Sequence, residues 1–262
     1  MDLYKHRVDL EYFGFLPNNE YDWCPGDIEL LYNGNRKKFP SNKSLDYYAE
    51  NPIKYKFNNC GFRTPDNFNS TDEGNVFLGC SHTFGIGHHL ENTWGWKLNE
   101  LIGGKFFNLA IGGTGVMTHY RILKGFYKEL NIKNVFHYAP LYNRYEFIVN
   151  HTPTSFIMGN LAAYHTEWQI LFGDLLRDSL TNNDQTKFIY NSYIDAIRGL
   201  CYELGINYYL ITDVDSVNNI DGSLQARDLH HYTVNYQNTI YENFVKLYDT
   251  DLYKNIVKKN II

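Results

Sequence analysis

Long apolar runs are missing from this chain. Nowhere do about eighteen apolar residues follow one another, so no membrane-spanning helix is expected. Met1-Asp2-Leu3-Tyr4-Lys5-His6 lacks a continuous apolar stretch, so no secretory leader is expected either. Cysteine is sparse: Cys24, Cys60, Cys80 and Cys201 are far apart and form no C-x-x-C pair, which fits reduced thiols better than a disulfide framework. The default location is then cytoplasmic, with a virion-associated protein as the alternative. Excess positive charge is absent too, with 24 Lys+Arg against 29 Asp+Glu and a net charge of -5. That balance argues against a protein that binds nucleic acid by neutralising phosphates. No internal repeat is visible. What the chain has in quantity is apolar and aromatic surface: 44% apolar residues, with 23 Tyr and 17 Phe, in 262 residues. That excludes a disordered chain and leaves one large domain or two small ones with a real core. Much of that core must consist of rings with a polar edge.

Residues 1–74 are rich in Asn, Tyr, Pro and Gly without a sustained period, and read as an irregular extension with short strands, packed on a main domain of residues 75–262. From residue 75 the pattern changes. Apolar runs at 75–79, 105–110, 134–139 and 206–211 read as buried strands. Helical spacing follows each: Trp94, Leu98, Leu101 and Ile102; Val116, Tyr120, Leu123, Tyr127 and Leu130; Tyr190, Ile194, Ile197, Cys201 and Leu204; Tyr236, Ile240, Phe244 and Leu247. The stretch from about 155 to 180 is ambiguous, with helix the better reading, and the segment from about 145 to 185 carries no readable motif. Strands alternating with helices predict a parallel sheet covered on both faces, with the ligand site at the carboxyl ends of the strands.

Four segments fall at those ends. Gly79-Cys80-Ser81-His82-Thr83-Phe84-Gly85 follows the first strand and can hold a serine hydroxyl exposed at a turn. Gly112-Gly113-Thr114-Gly115 follows the second, where bare backbone can approach a substrate oxygen. Asn143 follows the third and carries a side-chain amide that can donate to developing negative charge. Asp228-Leu229-His230-His231 lies past the fourth, and an Asp three residues before a His can reach its Nδ1. A nucleophile, a base, an orienter and oxyanion donors are all represented.

These residues resemble the SGNH (GDSL-type) hydrolase superfamily. Its G-D-S-x-T-x-G block is similar to residues 79–85, its Asn followed five residues later by Gly is similar to Asn108 and Gly113, and its D-x-x-H block matches Asp228 and His231. Asn59-Cys60-Gly61-Phe62-Arg63 also looks like the N-x-G-F-R preface of many bacterial and phage members. The resemblance implies a flavodoxin-like α/β/α sandwich. Carried over by residue, it implies Ser81 as nucleophile, His231 as base and Asp228 as its orienter, with the N–H groups of Ser81 and Gly113 and the Asn143 amide as oxyanion hole. Two departures stand out. Cys80 replaces the family's Asp, and the G-x-N-D block is missing, so Asn143 is assigned from its position after the third strand alone.

Plainer readings exist for each residue. Ser81 is an ordinary turn serine if isolated, and Asp228 with His231 is then a solvated loop pair. Gly112 and Gly115 rival Gly113, and Asn143 doubles as a turn or cap residue. His230 rivals His231 at a less suitable offset. Cys80 reads as a small buried thiol rather than a nucleophile, and Arg63 as a local partner of a carboxylate or carbonyl. The expectation drawn from the whole is a serine esterase of small acyl esters, a carbohydrate O-acetyl esterase among them, needing no cofactor or metal. One alternative is a non-catalytic glycan-binding or structural module on the same fold. Another is a metal-dependent hydrolase drawing on His82, His88, His89, His230, His231 and Asp228.

Overall fold

The computed structural model describes residues 4–5, 16–69, 71–149, 152–157, 183–212 and 223–259. Its centre is a four-stranded parallel sheet of β3 (Glu73–Leu78), β4 (Lys105–Asn108), β5 (Asn131–Ala139) and β8 (Asn207–Thr212), in the order β4-β3-β5-β8. Because side chains alternate across a strand, each strand feeds two cores. Val76, Leu78, Phe107 and Val135 face α5 (Val116–Phe126) and α6 (Asn183–Glu203), meeting Ile122, Leu123, Phe126, Ile197 and Leu200. Phe77, Phe106, Phe136 and Tyr209 face α4 (Trp94–Ile102) and α7 (Val234–Lys259), meeting Trp94, Leu98, Tyr236, Ile240 and Phe244. The protein is therefore mixed α/β, with helices on both faces of a parallel sheet. The second core absorbs much of the aromatic excess: Phe136 stacks on Tyr209 at 4.9 Å and Trp94 on Phe244 at 4.6 Å. Among the described residues no helix is long and apolar enough to cross a membrane.

Near their amino ends the strands are tied by side-chain amides. Asn75, Asn134 and Asn207 are register partners on neighbouring strands. Asn207 donates to Asn134 (3.0 Å), Asn134 to Asn75 (2.7 Å) and Asn75 to Asn99 of α4 (2.8 Å), and Asn99 ends the row on the Gly104 carbonyl (3.0 Å). Every amide in the row that is buried has both a donor and an acceptor engaged, which is what makes such polar groups tolerable in a sheet interior.

Two expectations need correction. The extension is not irregular throughout. Residues 16–69 contain α1 (Glu29–Lys38) and α2 (Lys43–Glu50), and a small antiparallel pair of β1 (Glu20–Tyr21) and β2 (Tyr55–Lys56). Helix α1 has no apolar stripe long enough to read, since Asn33, Gly34 and Asn35 sit in its middle. Helix α2 did carry a signal: Asn42 accepts from the Ser44 and Leu45 N–H groups as an N-cap. The second correction concerns the segment after β5. It forms a hairpin of β6 (Arg144–Val149) and β7 (Thr152–Ile157), so residues 155–157 are strand rather than helix. Residues 158–180 of that expectation lie outside the described residues.

The amide row yields a stability test. Asn134→Ala leaves the Asn75 oxygen and the Asn207 amide without partners inside the sheet, at roughly 1–3 kcal/mol for each buried group orphaned. Chemical denaturation is expected to show a loss of that size, with far-UV circular dichroism unchanged.

Candidate active site

The turn after β3 is where the sheet's carboxyl end meets the first candidate. Cys80 breaks from extended geometry, and the short helix α3 (Ser81–Phe84) begins with Ser81. Both glycines of the block are required by space. A Cβ on Gly79 would collide with the Thr83 side chain, and Gly85 has φ +83° and is crowded by Thr93 and Arg63. No carboxylate stands at position 80; Cys80 is buried instead. The turn is held from outside by the fully buried Arg63, which donates to the carbonyls of Phe84 (3.0 Å), Gly85 (2.6 Å) and His88 (2.8 Å). Arg63 therefore pairs with carbonyls, and its guanidinium also lies 4.4 Å over the Tyr55 ring.

The second candidate loop is built around Asp228, which is buried. Its Oδ1 accepts from the His230 and His231 N–H groups (both 3.1 Å), and its Oδ2 meets His231 Nδ1 at 2.5 Å. Burial alone would raise the Asp228 pKa, but the bonds from His231 outweigh it and hold the carboxyl below its ordinary value. An ionised carboxylate has no proton to give, so Nδ1 carries the hydrogen and Nε2 is left as an acceptor. Closing this turn puts Leu229 at φ +58°, a region that non-glycine residues avoid. His230 is exposed and meets Asp228 only through its backbone, so the rival base is not the one Asp228 orients.

Four contacts bring the two loops together. Arg227 N–H donates to the Gly87 carbonyl (2.8 Å), His88 Nε2 bonds the Tyr232 carbonyl (2.8 Å), and Gln237 donates to the His82 carbonyl (3.1 Å). The rings of His82 and His231 stand 5.6 Å apart, and Ile86 and His231 both border Gly26. Ser81 and His231 thus share one end of the sheet. In this structure the Ser81 hydroxyl bonds the Cys80 thiol at 3.9 Å.

The residues that join these loops come from the N-terminal segment, and sequence reasoning missed them. Asp27, wholly buried, accepts from Arg227 Nε (2.9 and 3.0 Å) and Nη2 (2.7 Å) and from the Tyr55 hydroxyl (2.5 Å). Tyr55 in turn accepts from the Gly87 N–H (2.9 Å). Asn35 of α1 donates to the Asp228 carbonyl (3.0 Å), and Asn42, Ser44 and Tyr48 all bond Gln225. These pairings span up to 200 positions, beyond the reach of any local motif.

The loop after β4 is the third element. Asn108 donates to the Thr83 carbonyl (3.3 Å), and Ile111 N–H to the Gly79 carbonyl (3.3 Å), so this loop runs beside α3. Gly113 is half-buried with φ +76°. A buried chain anchors the loop from behind: Thr114 Oγ1 to His119 Nε2 (3.3 Å), His119 Nδ1 to His137 Nε2 (2.9 Å), and His137 Nδ1 to the Tyr208 hydroxyl (2.8 Å). Thr114 spends its proton on the Ile111 carbonyl (2.7 Å), which fixes the direction of every bond. His119 donates to Thr114, His137 to His119, and Tyr208 to His137, with both imidazoles neutral. Asn143 stands one residue before Arg144, whose backbone lies against Gly115.

Among the described residues no three His, Cys, Asp or Glu side chains converge as a metal set. His89 turns away to the Asn51 carbonyl (3.2 Å). No family model matches the chain, and no curated protein matches it.

Two predictions follow from this packing. Asp27→Ala leaves the buried Arg227 charge uncompensated, and a loss of about 3–5 kcal/mol in denaturant unfolding is expected. The second concerns acid. Burial holds His82 at about 3, His88 at about 4 and His137 at about 3, and pushes His119 well below its ordinary range. Unfolded, each titrates near its ordinary value of about 6.5. Below that pH the unfolded chain binds protons that the folded chain refuses. Stability is therefore complete above about pH 6.5 and falls toward pH 4, by up to roughly a kcal/mol per pH unit for each imidazole. Denaturation midpoints measured between pH 7.5 and pH 4.5 should drop steeply, and a flat profile contradicts the neutral buried histidines.

Proposed function

We propose that this protein is a serine ester hydrolase of the SGNH type, acting on small acyl esters of a sugar or similar alcohol. In chain order the four parallel strands run 2-1-3-4, which supports a flavodoxin-like assignment. The observation that carries the reading is the Asp228–His231 pair, with Nδ1 committed to the carboxylate and Nε2 left as acceptor, stitched to the helix that begins at Ser81. Exposed Tyr232, next to His231 and stacked on His82, offers an aromatic edge of the kind sugars pack on.

In this reading Ser81 Oγ attacks the ester carbonyl as His231 Nε2 takes its proton, and Asp228 stabilises the imidazolium. The Ser81 and Gly113 N–H groups and the Asn143 amide receive the negative charge of the tetrahedral intermediate. The leaving alcohol takes the proton from His231, and water attacks the acyl-enzyme with His231 again as base.

A fluorophosphonate probe is expected to label Ser81 and no other serine. Ser81→Ala and His231→Ala should each lower kcat on 4-nitrophenyl acetate by at least about 10³-fold while the fold is retained. A protein inert to the probe that still binds glycans would instead be the non-catalytic module.

A further inference from the structure

Arg144, at the start of β6, has no place in the scheme above, and its surroundings are unusual for an arginine. Its Nε and Nη1 are buried without a hydrogen-bond partner. Each of the other five arginines with a described side chain has acceptors. Arg227 has Asp27, Arg121 has Glu146, Arg63 has three carbonyls, Arg36 has Asp46, and Arg198 has Asp195. The nearest acid along the same face of β6 is Glu146, two residues on, and it is already engaged by Arg121 (2.7 and 2.8 Å) and Thr118 (2.8 Å). Arg144 as a whole is half-buried, but two guanidinium nitrogens buried without an acceptor are costly, and folded proteins supply a partner to such groups almost without exception.

The location says what the partner is for. The Arg144 backbone presses on Gly115, the N-cap of α5, where no side chain caps the helix. The free amides of that first turn and the positive end of the helix dipole therefore add to the Arg144 charge rather than offset it. The same charge is felt at His82, which follows Ser81, and at His119, which anchors the Gly113 loop. An unpaired cation thus stands at the margin of the candidate site, with no carboxylate of the described chain paired to it.

We propose that Arg144 receives the acid group of the substrate, so that the ester handled at Ser81 carries a carboxylate, as an acylated uronic acid does. This rests on the hydrolase reading for its chemistry but not for the anion contact itself. A carboxylate arriving at Arg144 exchanges its hydration for charge-assisted hydrogen bonds to a cation that water does not fully solvate.

The test compares wild type, Arg144→Gln and Arg144→Lys on matched esters: acetylated glucuronic acid against acetylated glucose, and 4-nitrophenyl hemisuccinate against 4-nitrophenyl acetate. Wild type is expected to favour the acidic member of at least one pair, which also tells whether the acid sits on the alcohol or the acyl side. In Arg144→Gln the ratio of kcat/KM for acidic over neutral ester should fall about 10- to 100-fold, with Arg144→Lys between the two. The melting temperature should hold or rise in Arg144→Gln, because a half-buried charge with no partner has been removed. Equal ratios in wild type and Arg144→Gln, alongside active hydrolysis of neutral esters, overturn the proposal and leave the hydrolase standing. A drop in melting temperature of several degrees would mark Arg144 as structural and overturn it as well. If no ester is turned over, calorimetry with glucuronate and succinate decides: binding that disappears in Arg144→Gln keeps the anion site without the hydrolase, and no binding to wild type ends it.

Discussion

The arrangement of the site depends on one buried carboxylate. Asp27 accepts from Arg227 on one side and from the Tyr55 hydroxyl on the other, and Tyr55 accepts from the Gly87 N–H. Arg227 is the residue before Asp228, and Gly87 lies two residues after the Gly85 that closes the Ser81 helix. A single acid thereby fixes the distance between segments that are about 140 residues apart in the chain. Neither Asp27 nor Arg227 is tolerable alone in the interior. The requirement that both charges be paired is what forces the N-terminal segment, the β3 turn and the C-terminal loop into one arrangement.

The two ends of the sheet are polar in different ways. The amide row of Asn207, Asn134, Asn75 and Asn99 is neutral, saturated and directed across the strands, so it fixes register and nothing more. At the carboxyl end lie neutral buried histidines, an ionised Asp228 and three guanidinium groups: Arg227 is paired with Asp27, Arg63 bonds carbonyls, and Arg144 has no acceptor. The Thr114–His119–His137–Tyr208 chain joins this end to the sheet interior. Its fixed bond direction makes it a rigid support for the Gly113 loop, because reversing one bond would set two donors or two acceptors against each other at the next.

Much of this could be read in advance where a signal is local. The four parallel strands announce themselves as short apolar runs, the first three ending near Gly or Pro, and helices α4 to α7 as stripes of period 3.6. The block from Gly79 to Gly85 is legible because its two glycines and its serine are set by the turn itself. Asp228 and His231 are legible because three positions is the offset at which a carboxylate can cap a turn and reach the Nδ1 beyond it. What escaped was of two kinds. Helix α1 and the β6–β7 hairpin have weak or mixed periodicity, and tertiary packing chose their conformation. Asp27, Tyr55, Arg227 and Asn35 escaped for another reason: nothing in the neighbourhood of a buried polar or charged residue tells which distant partner satisfies it.

The amino-acid sequence by itself determined the alternation of strands and helices, the sharp turn at Ser81 and the local coupling of Asp228 to His231. All of these are consequences of backbone sterics and hydrogen bonds spanning a few residues. Tertiary structure alone decided that the two loops meet, that the Ser81 turn is held by Arg63 and Tyr55, and that Arg144 is left without an acceptor. The physical reason is range. Periodicity and turn chemistry act over one or two turns of chain, whereas the pairing of buried charge is settled only when segments far apart in sequence are folded against each other and water has been excluded.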